Sequence, residues 1–305
     1  MIPGVKAAFY AVPRQRDCLG VIAYRNGAYK RMKDWTEIEE LQRYCEQYEG
    51  ITLKLNWDML RSDDAWWLTH QEDGLTVGFI GVYGFGPQAE VCGMVRPGYR
   101  RRGIFTSLWT QALIRIREAG HREVLLNTPA NSASGQALLQ RMDCVFQHSE
   151  YQMKWNGQQL PGVDADTIPS GRVNLRPALP EEAEVMVRMD AEGFGMEPEE
   201  ASEMYDRPIR KQDEYIMIEL NGDPVGKLRL WTDEGDTWIY GFTVMPEGRG
   251  KGIGRSALLQ TIDRERRLGN GVCLEVALDN PQALKLYQSC GFETTGQQDY
   301  FRYNG

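Results

Sequence analysis

The sequence predicts an α/β (α+β) protein built from two copies of one fold in tandem, each a mixed, mostly antiparallel sheet flanked by helices. Three observations support this prediction. The chain has 305 residues, which is the length of two ordinary domains. A long segment of the first half recurs in the second half. In both halves, hairpin signals come before a strand–helix–strand pattern.

The internal repeat has two matched parts. The segment "CGMVRPGYRRRGIFTSLWTQALIRIREAG" (92–120) aligns with "GFTVMPEGRGKGIGRSALLQTIDRERRLG" (241–269), and "QALLQRMDCVF" (136–146) aligns with "QALKLYQSCGF" (282–292). Because the spacing is one domain length, the repeat indicates two domains and not a short solenoid unit. We predict a first copy over residues 1–157, a linker over 158–172 that is rich in Gly, Pro, Asp and Ser, and a second copy over 173–305.

The second copy shows its elements in order. "VNLRPALPEEAEVMVRMDAEGF" (173–194) reads as a short strand followed by a helix that starts with Pro and acidic residues. "EYIMIELNGDPVGKLRLWTD" (214–233) predicts a hairpin around Asn-Gly-Asp, and "TWIYGFTVMP" (237–246) predicts a strand that ends at a proline. A long helix and the apolar strand "GVCLEVALD" (271–279) follow.

The first copy begins with a different segment. "DWTEIEELQRYCEQYEG" (34–50) predicts a helix, and "DAWWLTHQEDGLTVGFIGVYGF" (64–85) predicts two strands around Asp73-Gly74. "AEVCGMV" (89–95) predicts the strand that leads into the repeated turn.

Composition excludes several classes of protein. There is no apolar run of about 18 residues, and we expect no membrane span and no secretory signal. Six scattered cysteines and three distant histidines predict reduced thiols, a cytoplasmic location and no metal site. Residues 1–160 carry 19 Lys and Arg against 17 Asp and Glu, whereas residues 161–305 carry 16 against 26. The acidic second half argues against nucleic acid as a partner and favours a cationic substrate.

The stretch "EGRGKGIGRS" (247–256) places three glycines at the start of a predicted amphipathic helix. The first amides of a helix lack internal partners, and the helix dipole favours an anion there. Small residues let a pyrophosphate approach the backbone, so the stretch predicts a phosphate-binding turn. It matches neither the P-loop pattern nor the dinucleotide pattern GxGxxG.

The motif Arg-x-x-Gly-x-Gly, formed by Arg249, Gly252 and Gly254, resembles the acyl-CoA-binding motif of the GNAT superfamily of N-acyltransferases. "LEVALDNPQALKLYQSCGF" (274–292) resembles the second half of that family's fold. The resemblance covers most of 173–305, and the layout of two copies is similar to mycothiol synthase. It implies the family's fold, acetyl-CoA as co-substrate, no metal, and transfer of an acetyl group to the amine of a small molecule or peptide.

The resemblance also implies the residues that hold acetyl-CoA. The pantetheine arm would pair with the backbone near Phe242, Thr243 and Val244, and an N–H of that strand would stabilise the oxyanion. The remaining cofactor-binding residues of the second copy would be Arg249, Gly250, Lys251, Gly252, Ile253, Gly254, Arg255 and Asn280. Alternatively, Asn280 caps the following helix, and Lys251 and Arg255 are solvated surface residues.

Two catalytic residues follow from the resemblance. Tyr287 matches the family's general acid, which protonates the CoA thiolate; the alternative is that its ring only packs in the core. Glu275, twelve residues earlier, matches the base of ribosomal-protein alanine N-acetyltransferases; the alternatives are a solvated strand residue and a carboxylate paired with a neighbouring Lys or Arg. Glu219 is a second candidate base, and a base acting through water is a third possibility.

The first copy departs from the motif. Phe105 stands where the second copy has Gly254, and Arg141 stands where it has Tyr287. We expect this copy to be catalytically silent, while acyl-CoA binding there stays open. The residues that would bind it are Val95, Arg100, Arg101, Arg102, Gly103 and Ile104.

The sequence thus favours an acetyl-CoA-dependent N-acetyltransferase with its active site in the second copy. One alternative puts the chemistry in the first copy, with the second copy auxiliary. Another is a non-catalytic acyl-CoA-binding module. The sequence fixes neither the acceptor amine nor the oligomeric state, for which a monomer and a homodimer both stay open.

Overall fold

The structure is a computed structural model that describes residues 21–24, 35–61, 65–85, 87–158, 173–203, 205 and 213–305. The strands are β1 (Val21–Tyr24), β2 (Trp66–Glu72), β3 (Leu75–Phe85), β4 (Gln88–Val95), β5 (Glu123–Pro129), β6 (Cys144–Trp155), β7 (Val173–Pro177), β8 (Asp213–Leu220), β9 (Asp223–Asp233), β10 (Asp236–Val244), β11 (Gly271–Ala277) and β12 (Phe292–Tyr303). The α-helices are α1 (Thr36–Glu49), α2 (Trp57–Leu60), α3 (Ile104–Glu118), α4 (Ala133–Leu139), α5 (Ala183–Phe194), α6 (Pro198–Glu203), α7 (Ile253–Leu268) and α8 (Pro281–Ser289).

Both predicted hairpins are confirmed. Asp73 and Gly74 join β2 to β3 with φ of 52° and 77°, and Asn221 and Gly222 join β8 to β9 with φ of 56° and 93°. Two consecutive left-handed residues are what a two-residue hairpin turn requires, because their twist matches that of the flanking strands. Asn, Asp and Gly adopt that conformation at the lowest cost.

Each copy has an apolar layer on both faces of its strands. In the first copy, the α3 residues Leu108 and Ile116 pack with Ile80 on one face. The α1 residue Leu41 packs with Phe79 on the other face, because neighbouring residues of a strand point to opposite sides. In the second copy, α7 covers the first of these faces and α5 covers the other. The predicted α/β fold class is therefore confirmed.

The strands of both copies form one continuous sheet of twelve strands, in the order β1-β2-β3-β4-β5-β12-β6-β11-β10-β9-β8-β7. Only β4–β5 and β10–β11 are parallel; the other neighbouring pairs among the described strands are antiparallel. The sequence predicts a mostly antiparallel sheet in each copy. It does not predict that the two sheets join into one sheet of twelve strands.

The two copies exchange their last strands at the centre of this sheet. β12, the last strand of the second copy, lies between β5 and β6, where it pairs with both. β6, the last strand of the first copy, pairs with β11 of the second. The longest ladder at this seam joins β6 and β12, from Phe292–Trp155 to Tyr303–Cys144. Each copy therefore contributes the strand that covers the exposed edge of the other.

Most of the predicted linker, residues 159–172, lies outside the described residues. In the part of the chain that the structure describes, no helix is both long enough and apolar enough to cross a bilayer.

The strand exchange predicts that neither half folds alone as a monomer. Residues 1–158 expressed alone would leave an edge of β5 unpaired, and residues 173–305 alone would leave an edge of β11 unpaired. We expect each half by itself to be insoluble or to self-associate, and the two halves to copurify as a one-to-one complex when they are expressed together. Size-exclusion chromatography with light scattering measures this. A cooperatively folded monomer of either half would contradict it.

Candidate functional site

The sheet opens into a cleft in each copy, where two parallel strands separate. The β10–β11 ladder runs from Asp236–Gly271 to Ile239–Leu274 and stops there, although β10 continues to Val244. The β4–β5 ladder likewise stops at Val91–Leu126, although β4 continues to Val95. Beyond these points β10 and β4 still pair with β9 and β3 on one edge, and the other edge of each strand faces a cleft.

The glycine turn of the second copy follows directly after β10. Gly250 and Gly252 have φ of 73° and 79°, which is the left-handed region where glycine carries no steric cost. The helix α7 begins at Ile253, and its first intrahelical bond is donated by the Ser256 N–H to the Gly252 carbonyl at 2.9 Å. The N–H groups of residues 253–255 therefore have no partner inside the helix and lie at its positive end.

The first copy builds the same turn with different residues. Gly103 has φ of 80° and precedes α3, as Gly252 precedes α7. Arg101 has φ of 66° at the place of Gly250, so a non-glycine residue adopts the left-handed conformation there. The turn geometry is thus preserved in both copies, at some steric cost in the first.

The arginine of the motif fastens the turn to the strand before it. The Nε of Arg249 donates a hydrogen bond to the Val244 carbonyl at 2.9 Å, and the Nε of Arg100 donates to the Val95 carbonyl at 2.8 Å. The Arg100 guanidinium also pairs with Glu49 at the end of α1. These bonds use the Nε of each arginine to fix the backbone.

The other predicted cofactor-binding side chains have different surroundings. Arg255 donates to the carbonyl and hydroxyl oxygens of Ser289 at 3.0 and 2.7 Å and so joins α7 to α8. Asn280 caps α8 by accepting a hydrogen bond from the Ala283 N–H at 3.1 Å, the alternative role considered above. Lys251 is exposed beside the turn, and Arg102 pairs with Glu72 at 3.4 Å.

An aromatic ring and a glycine have changed places between the two clefts. In the first copy Phe105, on the helix, faces Gly93, where an added Cβ would lie 3.0 Å from the ring. In the second copy Phe242, on the strand, faces Gly254, where an added Cβ would lie 3.7 Å from the ring. Gly93 therefore compensates for Phe105, the residue at which the first copy departs from the motif.

Tyr287 lies at the wall of the second cleft. It is 8% exposed, and its ring centroid is 6.5 Å from that of Phe242 on β10 and 6.0 Å from that of Phe292. Burial raises the pKa of Tyr287 to about 12, so the phenol keeps its proton at neutral pH. The ring thus packs in the core, and the protonated phenol has the ionisation state that a proton donor needs.

A β-bulge distinguishes the second cleft from the first. The register between β10 and β9 shifts between Tyr240 and Thr243, while β4 and β3 pair without a shift. Gly241 lies in this bulge with φ of 53°. A bulge leaves backbone groups outside the ladder and re-aims them, and here it does so next to Phe242 and the cleft.

The first copy contains a cavity of about 620 Å³. It extends from the turn at Arg100, Arg101 and Gly103 to Asn127 on β5 and Lys54 before α2. Arg141, the residue at the position of Tyr287, also lines it. The cavity therefore joins the first copy's turn to the centre of the molecule.

The cavity reaches Lys54. Lys54 is surrounded by a group of charged residues that we call the acidic cluster: Glu90 on β4, Glu150 on β6 and Glu275 on β11. The Lys54 Nζ lies 2.6 Å from Glu275 and 3.1 Å from Glu150, and it donates to the Tyr300 hydroxyl at 2.5 Å. The Glu275 carboxylate also accepts a hydrogen bond from Gln152 at 3.2 Å. The predicted base is thus ion-paired with a lysine of the other copy, the alternative considered above.

Burial and Lys54 set the ionisation of the cluster. Burial would lower the pKa of Lys54, but Glu275 and its neighbours raise that pKa well above its ordinary value, so Lys54 stays charged. Burial raises the pKa of Glu275, whereas at Glu150 the attraction of Lys54 outweighs burial and the pKa is lowered. Burial raises the pKa of Glu90 to about 7. Glu90 is therefore a carboxyl group that exchanges its proton near neutral pH.

Glu219, the second candidate base, lies elsewhere. It sits on β8 and accepts hydrogen bonds from Arg176 at 2.6 Å and from Asn174 at 3.2 Å, both on the neighbouring β7. Arg176 lowers the pKa of Glu219. β9 separates β8 from the cleft strand β10.

Sequence reasoning missed Lys54, Glu90 and Glu150 as functional candidates. One signal was present: Glu90 interrupts an otherwise apolar strand, "AEVCGMV" (89–95). The convergence of the three residues depends on the strand exchange, which brings β6 next to β11. Among the described residues, no group of three or more His, Cys, Asp or Glu side chains has the geometry of a metal site.

Comparison with known proteins identifies the family. The model of the acetyltransferase (GNAT) family matches residues 29–143 and again residues 182–292, which together are most of the chain. The N-alpha-acetyltransferase RimI of Mycobacterium tuberculosis is 41% identical over 68 residues, which are 22% of this chain and 42% of that protein.

Solved structures of other proteins share the fold over nearly the whole chain. A GCN5-related N-acetyltransferase from Sphaerobacter thermophilus has a TM-score of 0.69 at 22% identity and covers 93% of this chain and 96% of its own. A tandem GNAT protein from the clavulanic acid biosynthesis pathway has a TM-score of 0.64 at 16% identity and covers 92% and 97%.

The ion pairs of Lys54 predict a large loss of stability in the Lys54→Met variant. The substitution leaves Glu150 and Glu275 partly buried without their counter-ion, and we expect a loss of about 3 kcal/mol in the free energy of unfolding. Adding Glu275→Gln to that variant should restore part of the loss. Urea unfolding measures both, with the exposed Lys285→Met as the control. Equal stability of the Lys54 and Lys285 variants would contradict the prediction.

The pKa of Glu90 predicts a pH-dependent stability. Because burial raises this pKa from 4.5 to about 7, the folded state holds a proton between these values that the unfolded state has released. Stability from this group is therefore complete below pH 4.5 and is lost as the pH rises to about 7. As the pH rises from 5 to 8, the free energy of unfolding of the Glu90→Gln variant should increase by about 2 kcal/mol relative to that of wild type. Urea unfolding across this range checks it, with exposed Glu293→Gln as the control; parallel curves for Glu90→Gln and wild type would refute it.

Proposed function

Because the chain belongs to the acetyltransferase (GNAT) family, we propose that it transfers the acetyl group of acetyl-CoA to a primary amine in the cleft of the second copy. The observation that carries this proposal is the bulge of β10. The bulge leaves backbone groups without partners in the ladder beside the glycine turn and beside Tyr287. The corresponding strand of the first copy has no bulge. Acetyl-CoA would be a co-substrate, and the reaction needs no metal.

The turn would hold the diphosphate of acetyl-CoA. The free N–H groups at residues 253–255 and the positive end of α7 suit an anion, with Lys251 exposed alongside. The left-handed Gly250 and Gly252 leave room for the phosphates to approach the backbone. The pantetheine arm would then run along Phe242, Thr243 and Val244 as an added strand, because β11 has separated from β10 there.

The reaction forms one C–N bond and breaks one C–S bond. The neutral amine attacks the thioester carbonyl, and a backbone N–H at the β10 bulge stabilises the negative oxygen of the tetrahedral intermediate. When the intermediate collapses, the C–S bond breaks and Tyr287 gives its proton to the departing thiolate, which leaves as CoA thiol. The proton lost by the amine goes to a base, and the tyrosinate regains a proton before the next turnover.

Glu275 is the proposed base, and its pairing with Lys54 defines how it would act. The ion pair with Lys54 keeps Glu275 ionised, and burial raises the pKa of its carboxyl group, which makes the carboxylate a stronger base. Glu275 would therefore accept the proton of the incoming ammonium directly or through water. The five cysteines that the structure describes are free thiols, and we propose that the enzyme works in the cytoplasm.

A second candidate places the reaction in the first copy. Two observations favour it: the cavity of about 620 Å³ behind its turn, and Glu90, whose pKa burial raises to about 7. In this case Glu90 would be the base, and Arg141 would stand in the position of the proton-donating tyrosine.

A matched set of variants separates the two candidates. Ala137 lines the first cavity, and Ala283 holds the equivalent position in the second copy, so a tryptophan at either position should block that cleft alone. We expect Ala283→Trp to abolish release of CoA thiol in an amine screen and Ala137→Trp to retain it. The reverse result would move the reaction to the first copy.

Tyr287→Phe tests the proton donor. We expect kcat to fall at least about 100-fold, because general acid catalysis contributes this much, while CoA affinity by calorimetry changes less than about threefold. Tyr48→Phe is the control, since Tyr48 is 68% exposed on α1. An unchanged kcat would remove Tyr287 from the mechanism.

A further inference from the structure

The acidic cluster carries more negative than positive charge. Three carboxylates, Glu90, Glu150 and Glu275, face Lys54, and they come from strands of both copies that the strand exchange brings together. Lys54 contacts two of them directly, and its side chain is 7% exposed. The third carboxylate, Glu90, accepts hydrogen bonds from the Asn56 amide at 3.4 Å and from the Tyr83 hydroxyl, and neither of these partners carries a charge. A further cation is therefore electrostatically favoured at this place.

Two buried polar atoms beside the cluster lack partners within the described residues. Gln298 is 1% exposed and lies opposite Glu150 in the β12–β6 ladder, on the same face of the sheet. Its Nε2 donates to the Thr52 carbonyl at 2.9 Å, but its Oε1 has no donor. The Nδ2 of Asn127, which lines the cavity, has no acceptor. A buried acceptor without a donor costs free energy that an N–H group of a ligand would recover.

The cluster is reachable from outside. The cavity of the first copy extends to Lys54 and Asn127. The side chains of Glu150 and Glu275 are 24% and 15% exposed. Lys54, where the cavity ends, contacts one carboxylate from each copy.

We propose that the acidic cluster binds an ammonium group of the acceptor, and that the acceptor is a small aliphatic diamine or polyamine. This rests on the proposed function. The amine that attacks a thioester must be neutral, and Glu275 takes its proton. An ammonium group that Glu90 and Glu150 hold is therefore a second amino group of the same molecule. An acceptor with two amino groups satisfies both needs, and a monoamine does not. The N–H groups of the bound ammonium would also supply the donor that Gln298 Oε1 lacks.

Calorimetry on the full-length protein without acetyl-CoA tests this directly. The probes are putrescine and spermidine, with n-butylamine as the matched monoamine. We expect putrescine to bind at least about tenfold more tightly than n-butylamine, because both amines are protonated and putrescine offers the carboxylates two ammonium groups where n-butylamine offers one. Equal affinities for putrescine and n-butylamine, or no binding of either diamine, would overturn the proposal.

The Glu150→Gln variant locates the binding. Glu150 is outside the proposed catalytic pair, and we expect its loss to weaken putrescine binding about tenfold. Glu293→Gln is the control, since Glu293 is exposed at the start of β12 and accepts a hydrogen bond from Asn156, which is not part of the cluster. If both variants bind like wild type, the diamine binds elsewhere and the proposal fails. If Glu150→Gln does not fold, the wild-type comparison of putrescine with n-butylamine still decides.

Two outcomes separate this inference from the proposed function. Putrescine that binds but releases no CoA thiol from acetyl-CoA would leave the ammonium site standing and remove the acetyltransferase reaction. Acetylation of n-butylamine with the same KM as putrescine would keep the reaction and remove the ammonium site.

Discussion

The exchange of β6 and β12 is the constraint on which the rest of the structure depends. It makes one sheet out of two copies and places the ladder between the exchanged strands at the centre of that sheet. It also brings Glu150 and Gln152 of β6 alongside Glu275 of β11, so that Lys54 of the first copy pairs with a carboxylate of the second. The polar centre of the molecule is thus a product of the strand order, and it belongs to neither copy alone.

The two copies keep one backbone design and vary its side chains. Both turns place left-handed residues before a helix, and both tie the turn to its strand through an arginine Nε. The differences lie where chemistry is expected: the second copy has the bulge and the buried tyrosine, and the first has a cavity of about 620 Å³ and a carboxyl group whose pKa burial raises to about 7. Two copies with the same backbone and different side chains are consistent with one copy that catalyses the reaction and another that binds a ligand or shapes the acceptor cleft.

The sequence predicted what local patterns encode. The hairpins at Asp73-Gly74 and Asn221-Gly222 follow from turn chemistry, and the glycine turn with its helix follows from spacing. The fusion of the two sheets could not be predicted, because pairing of β12 with β5 or with its own copy satisfies the same apolar pattern. For this reason the acidic cluster could not be predicted either, since Lys54 and Glu275 are 221 residues apart in the chain and meet only through that pairing. The catalytic roles of Glu275 and Tyr287 stay predictions from the resemblance. In the structure Glu275 is ion-paired with Lys54, and the ring of Tyr287 packs in the core.

The interchange of Phe105 and Gly93 with Gly254 and Phe242 has a consequence for how such proteins diverge and can be recombined. A ring occupies each cleft wall, but it is supplied by the helix in one copy and by the strand in the other. Transplanting the helix of one copy onto the strand of the other would bring two rings together or leave none. The smallest module that can be moved between the copies is therefore the strand, its turn and its helix as a unit.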